Sequence, residues 1–269
     1  MGILVYREDK HLDFLSKVDN DSLEVLVNII IKDKDGYIRV SEDLTLQDRY
    51  KKYHPNHKRY WDLIAADYQY FGGNTFTNAW RGKGVCYEEI LKDTCSAMKV
   101  NLPKNSSVET QERNLLMKVL ESSLEKMTKN EKEALIRELD LKVGNLTSPM
   151  IMSTLQGSIL AGGFQSYQIS VIIANAVSKA VVGKGLTFAA NNALVRGVSL
   201  FTGPIGWALT AGITAISLAG PAKRITIPAT IYIASLRQAK LNKAQKSFIR
   251  RFLSRCFSFF DMSNKAQKD

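Results

Sequence analysis

The sequence predicts a mostly α-helical protein: a soluble helical N-terminal domain followed by a glycine-rich, apolar, basic helical C-terminal domain. Three observations carry that expectation. Apolar residues recur at intervals of three and four through most segments. Helix caps precede several of these runs, while convincing period-2 alternation is scarce. Finally, the composition changes abruptly near residue 143. Residues 1–140 hold 22 basic and 24 acidic residues, whereas Leu141 to Phe260 hold 13 basic residues and no acidic one. Glycine divides at the same place, with 11 of 17 between Gly144 and Gly220. The boundary is therefore expected at Val143 to Pro149, giving a soluble domain over 1–142, a membrane-seeking domain over 143–236, a basic amphipathic helix over 237–260 and a tail over 261–269.

In the first part, Leu12, Leu15 and Val18, then Leu23, Leu26, Val27 and Ile30, follow helical spacing. Asp33-Lys-Asp-Gly36 signals a turn leading into a short Tyr37 to Val40 segment. Trp61, Ile64, Ala65, Tyr68 and Phe71 mark the next helix, which Gly72-Gly73 stops, and Asn74 or Thr75 is placed to cap another. Ser106 or Ser107 caps a helix carrying Leu115, Leu116, Val119, Leu120 and Leu124. Thr128-Lys-Asn-Glu131 fits a capping box ahead of Leu135, Ile136 and Leu139.

In the second part, Val143 to Ser178 carry no charge, and Ile159 to Val177 has the length of a membrane span. Gln165, Gln168 and Asn175 make that span costly. A second uncharged run, Gly197 to Ala222, is more apolar, with Pro204 before its core, Pro221 after it and Trp207 within. Ala211, Ala215 and Ala219, and Ala208 with Gly212, form small-residue stripes that let helices approach closely in lipid. Lys223 and Arg224 supply a basic flank. Beyond Arg237, the residues Lys240, Lys243, Lys246, Arg250, Arg251 and Arg255 alternate with Leu241, Ala244, Phe248 and Phe252 as a basic amphipathic helix would. Such a helix suits an anionic leaflet, at about 1 kcal/mol per basic residue. The contacts expected with membrane are thus Trp207, Lys223, Arg224, Lys243, Lys246, Arg250, Arg251 and Arg255.

The net charge of +11 on its own would suggest nucleic acid first. Its confinement to an apolar region without a groove-binding motif turns the expectation toward lipid, leaving nucleic acid unlikely. Three cysteines exclude a disulfide framework. The chain opens without a secretory pattern, so a cytoplasmic protein, peripheral or integral to the inner membrane, is expected.

Catalytic signals are thin. His54-Pro-Asn-His57 offers two imidazoles, but the proline argues against a helical pair and no third ligand is evident, so no metal is expected. Between Gly72 and Tyr87, glycines and Asn74 can present amides to an anion, with Arg81 and Lys83 nearby. The competing reading is a set of tight turns with Trp80 packed inside. Glu88 and Glu89 diverge on a helix and make a poor acid–base pair. No cofactor is implied.

The run from Phe71-Gly-Gly-Asn-Thr to Trp80-Arg-Gly-Lys-Gly-Val-Cys-Tyr, continued by Glu89-Ile-Leu-Lys-Asp, resembles the bacterial YaaW-like family. Gly203-Pro-Ile-Gly-Trp-Ala and Ala219-Gly-Pro-Ala-Lys-Arg-Ile-Thr-Ile-Pro-Ala extend the resemblance over most of the chain. Members often carry a ubiquinol–cytochrome c chaperone-like label. The resemblance therefore implies a helical assembly factor for a membrane respiratory complex and transfers no catalytic residue.

Together these readings favour a non-enzymatic protein that associates with, or conditionally inserts into, the inner membrane through residues 143–260. A soluble chaperone holding a protein client stands second. An anion- or nucleotide-binding enzyme using the Gly72 to Tyr87 loop stands third. A homo-oligomer is compatible with each.

Overall fold

A computed structural model describes residues 4–32, 43–72, 84–160, 165–182, 203–205 and 222–241. Among the described residues there is no strand, and the mostly α expectation holds. The helices are α1 (Asn20–Ile31), α2 (Asp48–Tyr53), α3 (Trp61–Gly72), α4 (Tyr87–Ala97), α5 (Val108–Leu124), α6 (Lys129–Glu138), α7 (Ser148–Leu160) and α8 (Gln165–Val182). Another, α9, spans 223–241. Short 3-10 turns at Asp13–Lys17 and His57–Tyr60 precede α1 and α3.

Local chemistry accounts for several boundaries. Asp19 caps α1 by accepting from the Ser22 amide at 2.8 Å. Ser107 accepts from Thr110 N at the start of α5. Thr128 and Glu131 form the reciprocal capping box of α6. Gly72, the last described residue of α3, lies where a Cβ would meet the Ile90 side chain at 2.3 Å.

Two helices of the acid-free region are built into the core. In α8, residues 169–178 are buried, and in α9 only Pro228 interrupts burial from Ile225 to Ala239. Helices that are apolar on all sides belong inside a protein or a bilayer, and here protein surrounds them. Helix α8 packs on α1, α5 and α7. Helix α9 reaches α1 through Tyr232, whose hydroxyl donates to Ser22 O at 3.1 Å. It reaches α3 and α4 through Thr230, which lies 2.8 Å from the Tyr68 hydroxyl and 3.2 Å from that of Thr94. One hydrophobic cluster consequently runs from Leu4 to Ala239, and Ile205 joins it. The change in composition at residue 143 is a change of chemistry without a break in packing.

The candidate span Ile159 to Val177 lies only partly within the described residues. Its first two residues lie at the end of α7 and residues 165–177 lie in α8, while residues 161–164, with Gly162 and Gly163, lie outside the described residues. Among the described residues no helix is long and apolar enough to cross a membrane. The polar residues that burden a span have protein partners: Gln165 and Gln168 donate to the carbonyls of Leu139 and Glu138 at the end of α6, at 3.2 and 2.9 Å. Asn175 donates to Val171 O at 3.1 Å. The small-residue stripes over 208–219 lie outside the described residues, as do the Asp33–Gly36 turn and the Tyr37–Val40 segment.

Candidate functional site

The densest polar chemistry lies where α9 crosses the start of α5. Glu109 and Glu112 sit three residues apart and so share a face of α5. Glu112 is 0% exposed, so its charge requires partners within the protein. It has three. Oε1 accepts from Arg237 Nε at 2.6 Å and from the Tyr87 hydroxyl at 2.8 Å, and Oε2 accepts from Gln238 Nε2 at 2.8 Å. The other guanidinium nitrogens of Arg237 donate to His11 O at 3.1 Å and Glu109 Oε1 at 3.2 Å. The Phe14 and Tyr87 rings each stand 5.8 Å from the guanidinium carbon. Burial pushes the Glu112 carboxyl up, against the opposing pull of Arg237, Gln238 and Tyr87.

The N-terminal strap, residues 4–12, completes this centre. Cys86 provides no side-chain cap for α4. Asp9 does so from 78 residues away: its Oδ2 accepts from Tyr87 N at 2.6 Å, while Oδ1 holds His11 N at 2.9 Å. A carboxylate there meets the positive end of the helix dipole. Gln69 of α3 pairs with both the amide and the carbonyl of Arg7, at 3.0 and 2.9 Å. Arg7 in turn donates to Gly84 O at 3.2 Å. Gly84 lies so close to α3 that a Cβ would stand 2.8 Å from the Gln69 carbonyl carbon. The strap, α3, α4, α5 and α9 are thereby tied by one hydrogen-bonded network.

This arrangement locks helices together. Tyr87 and Glu112 are fully enclosed. The neighbouring cleft between α5, α7, α8 and α9, rimmed by Arg113, Ser166, Ser170 and Gln238, encloses only about 10 Å³. Small-molecule sites usually occupy roughly 300–1,000 Å³. Both described thiols are poor nucleophiles: burial pushes Cys86 up, and Cys95 up to about 12. No cluster of three or more His, Cys, Asp or Glu side chains among the described residues is arranged to hold a metal.

The two histidines of the His54–His57 turn come together on Tyr60. His57 Nδ1 lies 2.6 Å, and His54 Nδ1 3.5 Å, from its hydroxyl. Burial and then His54 bring His57 down to about 4. Its imidazole is therefore neutral near pH 7 and packs in the body.

Of the anticipated site residues, Asn74, Arg81 and Lys83 lie outside the described residues. So do Trp207, Lys243, Lys246, Arg250, Arg251 and Arg255. Lys223 is half-buried and Arg224 exposed, both in the first turn of α9. The sequence reading missed the Glu112–Arg237 centre. Its signal was available: an arginine inside an apolar helix of an acid-free region must find its carboxylate in the other half of the chain.

The fold and this centre define a mostly α protein whose first and last described segments close on a shared ion-pair network. A family model described as a domain of unknown function, DUF3944, matches residues 6–40, the stretch that supplies the strap and α1. A UPF0174 protein of Helicobacter pylori (strain J99 / ATCC 700824) is 41% identical over 235 residues, covering 87% of this chain and 93% of the relative. The UPF0174 protein YaaW of Escherichia coli (strain K12) is 33% identical over 241 residues, covering 87% of this chain and 95% of that protein. No solved structure matches. The chain belongs to the UPF0174 family, which includes YaaW, as the sequence resemblance implied.

Proposed function

We propose that this is a non-enzymatic, membrane-associated protein in which a folded helical body carries two acid-free segments to an anionic bilayer. The observation that supports this reading best is how the body divides the acid-free region. It takes α8 and α9 into its own core, which confines lipid contact to the segments on either side of α9. One contains the uncharged run Gly197 to Ala222 with Trp207, a residue suited to the membrane interface. The other contains Lys243, Lys246, Arg250, Arg251 and Arg255. Helix α9 spans 223–241, so these segments join it at points roughly 28 Å apart. Lys223 and Arg224 add a further argument. They place two positive charges at the positive end of a helix dipole, an unfavourable arrangement that an external anion relieves.

Flotation of the full chain with vesicles tests the reading. Phosphatidylglycerol vesicles should carry the protein upward, and phosphatidylcholine vesicles should not. Replacing Lys243, Lys246, Arg250, Arg251 and Arg255 by Gln should weaken binding by about fivefold per residue. A protein that stays at the bottom with both vesicles is not membrane-associated, and co-purification of a protein client in that fraction would favour the assembly-chaperone reading.

A further inference from the structure

A second basic surface lies on the near-neutral half of the chain. Residues 49–60 contain five Lys or Arg and no Asp or Glu. Helix α2 and the His57–Tyr60 turn fold against each other, which gathers these cations in space. Arg49 is satisfied by a two-pronged pair with Asp62, one arm of it 2.9 Å. The others are not neutralised this way. Lys51, Lys52, Lys58 and Arg59 are exposed, and no carboxylate among the described residues forms an ion pair with them. Lys52 and Arg59 converge on one ring: the Lys52 ammonium is 5.3 Å and the Arg59 guanidinium 5.0 Å from the centre of Tyr53. The same two cations draw the Tyr53 phenol below its ordinary range. Like charges held together repel, and an external anion relieves that repulsion.

The surface continues toward α9. Asn20 ties the turn to α1, donating to Pro55 O at 2.9 Å and accepting from His57 N at 2.7 Å. Three residues before it, Lys17 is exposed and close enough to Lys240 to act on its charge. Lys240 itself lies 5.7 Å over the Phe14 ring. Two acidic groups along this edge have partners: Asp19 caps α1, and Asp13 accepts from Tyr6 at 2.8 Å; Glu24 faces His57 and Asp48 is exposed at the start of α2. The edge therefore leads from Arg59 to the end of α9 at which the basic 242–260 segment begins.

We propose that the α2 turn, centred on Lys52 and Arg59 around Tyr53, is a docking site for the phosphate headgroups of an anionic bilayer. It orients the body with the C-terminal end of α9 toward the lipid. The choice of lipid rests on the membrane reading above. It is favoured by charge complementarity, by a tyrosine among exposed cations at an interface, and by the continuity of this edge with the basic segment.

The test compares full-length wild type, the double variant Lys52→Gln/Arg59→Gln, and the charge-matched control Lys104→Gln/Lys129→Gln, each binding phosphatidylglycerol vesicles. The double variant should bind about 25-fold more weakly, the control less than twofold more weakly, and all three should keep the same Tm. Equal weakening in both variants, with wild type bound, overturns the site and leaves the membrane reading standing. Failure of wild type to bind overturns both. Tight binding of a DNA or RNA oligonucleotide that only the double variant loses would assign the face to nucleic acid and overturn the lipid assignment.

Discussion

Arg237 and Arg59 each hold a guanidinium within 6 Å of a tyrosine ring, at 5.8 Å from Tyr87 and 5.0 Å from Tyr53, yet their surroundings are opposite. Arg237 is buried, and its nitrogens meet Glu112, Glu109 and the carbonyl of His11. Arg59 is exposed beside Lys52, and no carboxylate among the described residues forms an ion pair with it. The region expected to send its charge outward uses an arginine to hold the body together, while the near-neutral region gathers cations on its surface. Net charge by segment is thus a poor guide to where charge is free. Its value to a partner depends on whether a carboxylate has already claimed it.

The largest effect should come from breaking the buried pair on one side only. Arg237→Met leaves Glu112 enclosed without its counter-charge and should cost about 3–5 kcal/mol in urea unfolding. Combining it with Glu112→Leu should recover most of that loss, because a well-packed apolar pair often matches a buried ion pair. A cost below about 1 kcal/mol for the single variant would place Arg237 with the surface cations.

Thr230→Val comes next. It removes the partner of the buried Tyr68 and Thr94 hydroxyls and should cost about 1–3 kcal/mol. Adding Tyr68→Phe should return part of it, since the orphaned phenol is then gone. Denaturant midpoints of the single and double variants decide this.

The His57 turn links the interior to the basic surface through proton binding. His57 has its pKa lowered from 6.5 to about 4, so between those values the unfolded chain binds the proton more strongly. Stability is then fully retained above about pH 6.5 and is lost progressively as pH falls toward 4. NMR titration should show the His57 imidazole neutral down to that range, and unfolding midpoints should follow the same slope. An imidazole that titrates near 6.5 would mean that water reaches the turn.

The smallest stability effect sharpens the comparison most. Lys52→Gln/Arg59→Gln should change the unfolding free energy by no more than about 0.5 kcal/mol, although it removes two charges as Arg237→Met removes one. A clear gain in stability, greatest at low salt, would measure the repulsion now stored on that face.

Much of the fold is legible along the chain because its causes are short-range. Asp19, Ser107 and Thr128 act on amides a few residues away, and apolar spacing sets the buried faces of α1, α3 and α5. The fate of α8 and α9 is not legible in this way. An apolar helix without acids has the same composition whether lipid or protein excludes water from it. Gln165 and Gln168 look like obstacles to burial until the end of α6 supplies carbonyls for them. The convergence of Lys52 and Arg59 on Tyr53 depends on α2 and the following turn folding against each other, which the spacing of the basic residues does not specify.

The amino-acid sequence by itself determined the helical class, the caps, the family resemblance and the 120-residue interval without a carboxylate. Tertiary structure decided which positive charges in and around that interval are spent. The reason is range: spacing and caps act within a turn or two of helix, whereas Arg237 meets Glu112 across 125 residues. Only the packing of α9 against α5 brings that pair together, and only the folding of α2 against the His57–Tyr60 turn gathers Lys52 and Arg59 around Tyr53 at the surface.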